Sequence, residues 1–246
     1  MKAKDVKTFA KEQGVDKIGV VSTGRLLEEG LPKGYRPEDI LPGAKSLIVF
    51  LMRGIDTPRL GLEMQEGKIL GTPEHSINFV LLGSGWPGAT HLDLIGYKMA
   101  RFMMRQGCKA IPIPSGHPYD KKQLRGIISH KHAAVKAGLD EMGLSTLLIT
   151  PEYGCNVYLS SILVDVELEE DGDFEGTLCK DMQQSCGLAC VASCPVGALK
   201  GDGTIDKQKC VQFIYEGVGK PYGYPYYQHE MRCGRCLHAC PIGRER

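Results

Sequence analysis

The sequence predicts an α+β chain: a mixed α/β first domain and, behind it, a smaller module organised by cysteines. Three observations carry this. Segments with helix period and segments with strand character alternate through residues 1–166. Eight of the ten cysteines lie beyond residue 178. Between the two parts, residues 167–176 (ELEEDGDFEG) turn acidic, polar and glycine-bearing, which places a boundary there and gives domains of 1–172 and 173–246.

The elements follow in order. Residues 5–13 form an amphipathic helix with Val6, Phe9 and Ala10 on one face, and Gly14 stands where a helix ends. Residues 17–22 (KIGVVS) make a strand. Residues 30–43 hold three prolines and three glycines and are a loop. Residues 45–52 (KSLIVFLM) are a near-continuous apolar run of strand length, expected to be buried on both faces. No clear period marks residues 54–88. Residues 91–106 are a helix: Leu92, Ile95, Met99 and Phe102 or Met103 share a stripe, and Gly107 ends it. A strand over 108–112 ends at Pro112 and Pro114. Ser129 caps a helix over 130–136. Strands over 144–150 and 156–166 are joined by the turn Pro151-Glu152-Tyr153-Gly154.

Lys plus Arg (30) nearly cancel Asp plus Glu (29), so no overall basic footprint for nucleic acid exists. The longest apolar runs are far shorter than a membrane span, and no membrane partner is expected. The start shows no apolar signal core and no twin-arginine pair, which points to the cytoplasm. Ten cysteines in a reducing compartment favour metal ligation over a disulfide framework.

The cysteines have a pattern. Cys179, Cys186, Cys190 and Cys194 form a first block, and Cys210, Cys233, Cys236 and Cys240 a second. Each block ends C-x3-C-P, at Cys194-Pro195 and Cys240-Pro241. In two-cluster ferredoxins the cysteine before the proline ligates the other cluster. The same exchange here gives two [4Fe–4S] clusters and a ferredoxin-like module for moving electrons. One cluster takes Cys179, Cys186, Cys190 and Cys240; the other takes Cys194, Cys210, Cys233 and Cys236. The first block is irregular, C-x6-C-x3-C-x3-C-P. A structural zinc and a single cluster with leftover thiols are the alternatives, although only Cys233 and Cys236 form a C-x2-C knuckle. Cys108 and Cys155, outside both blocks, read as buried structural thiols.

Residues 128–139 (ISHKHAAVKAGL), 142–154 (MGLSTLLITPEYG) and 35–49 (YRPEDILPGAKSLIV), in that setting before the cysteine blocks, resemble the epoxyqueuosine reductases and their relatives, the reductive dehalogenases. The resemblance implies a first domain of flavin-nitroreductase-like fold that holds a cobalamin. It also implies clusters that reduce the cobalt, an external donor such as a ferredoxin or flavodoxin, and protein groups that position the corrinoid and supply protons. On this basis the corrinoid would lie along Gly138, Met142, Gly143, Ser145 and Thr146, with His130 hydrogen-bonding it. Glycines at 138 and 143 would let a flat macrocycle approach the backbone. His130 and His132, at i and i+2, do not form a two-histidine metal site.

Three departures qualify the resemblance. Leu124 stands where the family's proton-donating aspartate falls by counting, Asp120 is the nearest carboxylate, and Tyr119 and Asp120 become the candidate proton donors. The family's Ala-Gly-Leu-Gly reads Ala137-Gly138-Leu139-Asp140. The chain stops six residues after Cys240, without the helical repeats of the tRNA-modifying enzymes. Together with the balanced charge, this leaves an unidentified small-molecule substrate and no nucleic acid as the expectation. The alternative function is a ferredoxin-like electron carrier without a corrinoid, or with a flavin in its place.

Overall fold

Strand β1 (Lys17–Ser22) and strand β2 (Ser46–Arg53) arise from two short apolar runs of the N-terminal third. They pair antiparallel, with Val20 opposite Ile48. Strands β3 (Ala110–Ile113) and β4 (Val157–Val164) complete a sheet of order β1-β2-β4-β3 with every pair antiparallel. The structure, a computed structural model, describes residues 1–28, 30–55, 63–65, 68–70, 74–116, 119–214 and 233–243, with the backbone alone for 63–65, 68–70 and 74–86. The chain is mixed α/β, as expected.

Helix α1 (Ala3–Glu12) and helix α2 (Glu74–Arg105) supply the apolar layer for one face of the sheet. Val6 and Ala10 of α1 and Leu92, Ile95, Met99 and Met103 of α2 are buried with Val20, Ile48, Phe50, Ile162 and Val164. Leu47, Val49 and Leu51 alternate to the other face and are equally buried, so β2 is covered on both sides as its sequence requires. Helix α3 (His130–Lys136) packs on β1, β2 and β4, with Ala133 and Ala134 buried. A Cβ at Gly19 would stand 2.5 Å from the Ala137 carbonyl, so only glycine on β1 lets the end of α3 come this close.

Several boundaries differ from expectation. Helix α2 begins well before residue 91 because Pro87, which reads as a loop residue, is accommodated inside it. The strand expected over 144–150 is only Leu148–Ile149. The Thr146 N–H bonds the Gly143 carbonyl at 2.8 Å and the Gly143 N–H bonds the Leu147 carbonyl at 2.9 Å, which makes a tight turn of the preceding residues. The loop over 30–43 includes one helical turn, Pro37–Ile40, with proline in its first turn. Residues 221–227 (PYGYPYY), whose prolines and tyrosines suggest a loop, lie outside the described residues.

Two compact units do not follow chain order. Met1–Arg53, Ala89–Glu141 and Val157–Gly176 form the first; Gly54–Gly88, Met142–Asn156 and Thr177–Arg246 form the second. The division into 1–172 and 173–246 therefore misses that residues 142–156 join the cysteine-bearing unit. Contacts distant in sequence, described below, put them there.

The acidic segment over 167–176 is not a free linker. It lies along the outer edge of β1, where the Val20 N–H donates to Asp171 Oδ2 at 2.9 Å and the Ser22 N–H to Glu170 Oε2 at 2.8 Å. In return the Asp171 N–H donates to the Val20 carbonyl. Lys7 holds Asp171 at 2.7 Å, and Arg25 reaches Glu170 at 3.2 Å and Asp173 at 2.6 Å. Among the described residues no helix is long and apolar enough to cross a membrane.

Candidate metal centre

Helix α4 (Leu178–Cys186) carries Cys179 and Cys186 seven residues apart, two turns along one side. Gly187 and Leu188 follow, both left-handed with φ of 56°, and Leu188 is not glycine. Two such residues in a row break the helix and start helix α5 (Ala189–Ala192), which carries Cys190. Helix α6 (Lys207–Gln212) is capped by the Asp206 carboxylate, which accepts the Lys209 N–H at 3.1 Å, and carries Cys210. Helix α7 (Arg235–Ala239) carries Cys236, ends at Cys240, and packs on α5.

The thiols influence one another in two groups. Burial, then the nearby thiols of Cys179, Cys240 and Cys186, push the Cys190 thiol up. Cys236 is pushed up to about 11 by burial and then by Cys233 and Cys210, with Cys190 a smaller contributor. Burial raises Cys233, and Cys194 adds to this against the Arg235 N–H and charge. Burial also works against the Cys194 thiolate, but the N–H groups of Leu199, Val196, Ala198 and Gly197 more than offset it and lower its pKa. Of these, the Ala198 N–H donates to the Cys194 sulfur at 3.2 Å. On the first group, the Leu144 N–H donates to the Cys179 sulfur at 3.4 Å. Among the described residues no three Cys, His, Asp or Glu side chains stand close enough together to hold a metal ion, so the arrangement of these thiols around a centre rests on their spacing in the sequence.

Cys155 belongs with them. It is buried, as expected, but in the second unit, hydrogen-bonded to Cys240 and close to Cys236 and Cys179. The bond to Cys240, then burial, hold it protonated well above the ordinary thiol range. Cys108 is half-buried beside the apolar core of the first unit.

The residues expected along a corrinoid divide between the units. Met142, Gly143, Ser145 and Thr146 lie in the second, Gly138 and His130 in the first. His130 spends both ring nitrogens on its own chain: Nδ1 meets Ser161 Oγ at 2.7 Å and Nε2 the Pro114 carbonyl at 3.0 Å. The carbonyl can only accept, so Nε2 carries the proton and Nδ1 accepts from the Ser161 hydroxyl. No ring donor is left over, which corrects the role expected of it. Gly138 is left-handed, and a Cβ there would lie 2.3 Å from the Gly172 carbonyl. A Cβ at Gly143 would lie 2.2 Å from Ile149 Cδ1. The close approach that both glycines permit is thus made by the chain itself. Two features of the 142–146 turn do suit a polar-rimmed ligand. The Ser145 hydroxyl is buried with no hydrogen-bond partner among the described residues, and Thr146 is held at a left-handed φ of 60°.

A second constellation lies in the first unit. The Tyr35 hydroxyl donates to the Asp120 carboxylate, whose other oxygen accepts the Lys122 and Gln123 N–H groups at 2.7 and 2.9 Å. The Arg125 guanidinium stands 4.4 Å over the Tyr35 ring. The tyrosine bond, first among several, holds Asp120 below the ordinary carboxylate range and raises Tyr35. Leu124, where an aspartate was looked for, is left-handed at φ 50° and turns a small hairpin between Tyr119–Asp120 and Arg125–Gly126. Nothing local pointed to Tyr35, which lies 85 residues from its partner. The departure at Asp140 also has a partner: the carboxylate is fully buried and paired with Lys17 at 2.9 Å.

No family model matches the chain. It is similar to the epoxyqueuosine reductase of Bacillus subtilis (strain 168), 25% identical over 268 residues that cover 96% of this chain and 62% of that protein. The chain thus spans under two thirds of that relative's length. Among solved structures, an epoxyqueuosine reductase with an epoxyqueuosine-modified tRNA-Tyr stem loop aligns with TM-score 0.61 and 20% identity, over 98% of this chain and 65% of that one. A reductive dehalogenase whose structure suggests a mechanism for B12-dependent dehalogenation aligns with TM-score 0.69 and 19% identity, over 99% of this chain and 32% of that one. The resemblance to epoxyqueuosine reductases and reductive dehalogenases therefore holds, in sequence for the first and in fold for both. A tRNA stem loop on one of these neighbours withdraws the expectation that nucleic acid plays no part.

Proposed function

We propose that this chain is a corrinoid-dependent iron–sulfur reductase, with a nitroreductase-like sheet domain and a ferredoxin-like module holding two [4Fe–4S] clusters. Cys179, Cys186, Cys190 and Cys240 would hold one cluster, and Cys194, Cys210, Cys233 and Cys236 the other. What supports this is the spacing of the eight cysteines, with its two C-x3-C-P endings, beside the likeness to epoxyqueuosine reductases and to a reductive dehalogenase. When bound, the clusters supply one-electron transfer and the corrinoid a cobalt centre for reducing the substrate.

The chain's own residues have distinct tasks. The N–H groups around Cys194 and the Leu144 N–H on Cys179 stabilise negative charge on sulfur. Ser145 offers its unpartnered hydroxyl to the amide rim of a corrinoid, beside Met142, Gly143 and Thr146. Asp120 is held ionised and Tyr35 protonated, so the proton of this pair sits on the Tyr35 oxygen. Within this pair Tyr35 rather than Asp120 is therefore the group with a proton to give. The reductant would be an external carrier such as a ferredoxin or flavodoxin in the cytoplasm, and tRNA-borne epoxyqueuosine is one substrate to assay.

A second interpretation has its own observation. The spaces beside Gly138 and Gly143 are taken by Gly172 and Ile149, which favours an electron carrier with a flavin or no further cofactor. Anaerobic reconstitution followed by cobalamin titration separates the two. About eight iron and eight sulfide per chain, with saturable cobalamin binding, supports the reductase. Four iron, or stoichiometric zinc, refutes the two-cluster assignment. Eight iron without binding at high micromolar cobalamin leaves the carrier.

A further inference from the structure

One face of helix α2 turns away from the core and carries an unusual set of side chains. Leu92, Ile95, Met99 and Met103 are buried, and spacings of three and four gather Leu94, Tyr97, Lys98, Arg101, Met104 and Arg105 on the opposite side. Leu94, Tyr97 and Met104 are each more than half exposed. Single apolar residues on a surface need no explanation, but three on one face beside three cations do.

The charges of this face have one sign. Lys98, Arg101 and Arg105 follow one another at spacings of three and four, so neighbours repel along the helix. Among the described residues none of the three forms an ion pair. Lys98 reaches only Gln13 Oε1, at 3.4 Å, and the Arg101 guanidinium lies 5.8 Å from the Tyr97 ring centre. Asp93, the acid of residues 89–105, accepts the Ser115 N–H at 2.8 Å instead. Beside the cations, Phe9 of α1 stacks on Phe102 with ring centres 4.4 Å apart. A cleft of about 190 Å³ opens between Phe9, Lys98, Arg101, Phe102 and Arg105. Ligand pockets hold roughly 300–1,000 Å³, while a cavity of about 150 Å³ admits one benzene. The cleft is thus sized for one apolar side chain rather than for a cofactor.

An apolar cleft ringed by unpaired cations fits an acidic protein that inserts an apolar side chain with carboxylates around it. A second copy of this chain meeting through the same face would set these cations against their own kind. A sugar-phosphate backbone would leave Leu94 and Met104 uncovered. From Leu94 to Arg105 the face runs about 17 Å, which is short for a permanent interface of about 800 Å² per partner and suits the small contacts of electron-transfer encounters.

We propose that this face of α2 docks, briefly and by charge, the acidic surface of a small electron-carrier protein. The proposal rests on the reductase reading above, which requires such a donor.

The test uses the full chain, reconstituted anaerobically, with an acidic bacterial flavodoxin as the probe. Binding is measured by surface plasmon resonance at low and high salt. Cluster reduction is followed by stopped-flow absorbance, with reduced flavodoxin or with dithionite. Wild type should bind flavodoxin at low salt and release it at high salt. Arg101→Glu with Arg105→Glu should slow reduction by flavodoxin about tenfold or more at low salt, while dithionite reduces both proteins alike. Leu94→Ser with Met104→Ser should weaken binding but keep its salt dependence. Flavodoxin that binds and reduces the charge-reversed chain as it does wild type overturns the proposal. So does a wild type that holds its iron and binds no flavodoxin, or one that takes an RNA stem loop or a second copy of the chain in its place, with that complex lost on charge reversal. A wild type that binds flavodoxin through these residues but holds no iron overturns the reductase reading and leaves the docking face standing.

Discussion

His130 offers the most quantitative test of the first unit. Its ring is enclosed between Ser161 and the Pro114 carbonyl, and burial lowers its pKa from 6.5 to about 4. The folded state therefore binds fewer protons than the unfolded state throughout that interval. Stability from this group is complete above pH 6.5 and is lost as pH falls toward 4. The whole interval corresponds to about 3 kcal/mol, a ceiling because the residue keeps some surface exposure. At pH 5 the loss relative to pH 7.5 should be about 2 kcal/mol. Urea unfolding of wild type and His130→Gln at both pH values isolates the term, because carboxylates and cluster ligands contribute to both proteins alike. The wild type should lose about 2 kcal/mol more than the variant. Deuterium exchange at the ring C2 position, read by mass spectrometry, reports the same ionisation directly. A His130 ring that titrates near 6.5, or equal acid losses in the two proteins, would refute the reasoning.

Other outcomes follow from single contacts. Lys17→Ala should cost about 3–5 kcal/mol by leaving the buried Asp140 carboxylate without its cation, whereas Asp140→Ala should cost less because Lys17 can turn to water; chemical denaturation of both variants checks the asymmetry. Tyr35→Phe should raise the Asp120 pKa toward the ordinary range, seen as a shifted carboxyl titration by carbon-13 NMR. Cys108→Ala should leave the iron content unchanged, since that thiol lies beside the first unit's core. Gly143→Leu should disturb the iron count as well as any corrinoid binding, because the turn that collides with Ile149 also presents the Leu144 N–H to Cys179; an intact count would argue against that coupling.

Much of the sheet could be read from sequence because its strands are short apolar runs with no competing signal. Residues 17–22 and 45–52 fell within a residue of β1 and β2, and Ser129 marked the start of α3. The grouping of the thiols into two sets of four is what the Cys-Pro endings of the two blocks imply, because proline after the fourth cysteine carries geometric meaning. What stayed hidden depends on partners distant in the chain. A glycine in sequence announces that something comes close, but not what: at 138 it is the Gly172 carbonyl and at 143 the Ile149 side chain. Asp140 looks like a lost glycine until Lys17 is seen beside it, and Asp120 looks like a lone acid until Tyr35 is. Cys155 was grouped with Cys108 because both precede the cysteine blocks, and only the contact with Cys240 separates them.

The carboxylates along β1 do the work of a neighbouring strand without presenting a further edge. They occupy the Val20 and Ser22 N–H groups, where a strand from another molecule would otherwise register. A guard made of charges can be undone, unlike one made of a ladder. Concentrated salt weakens its hold on Lys7 and Arg25, and acid removes the charge that makes the oxygens good acceptors. Access to the outer edge of β1 should therefore track ionic strength and acidity before any of the apolar core is exposed.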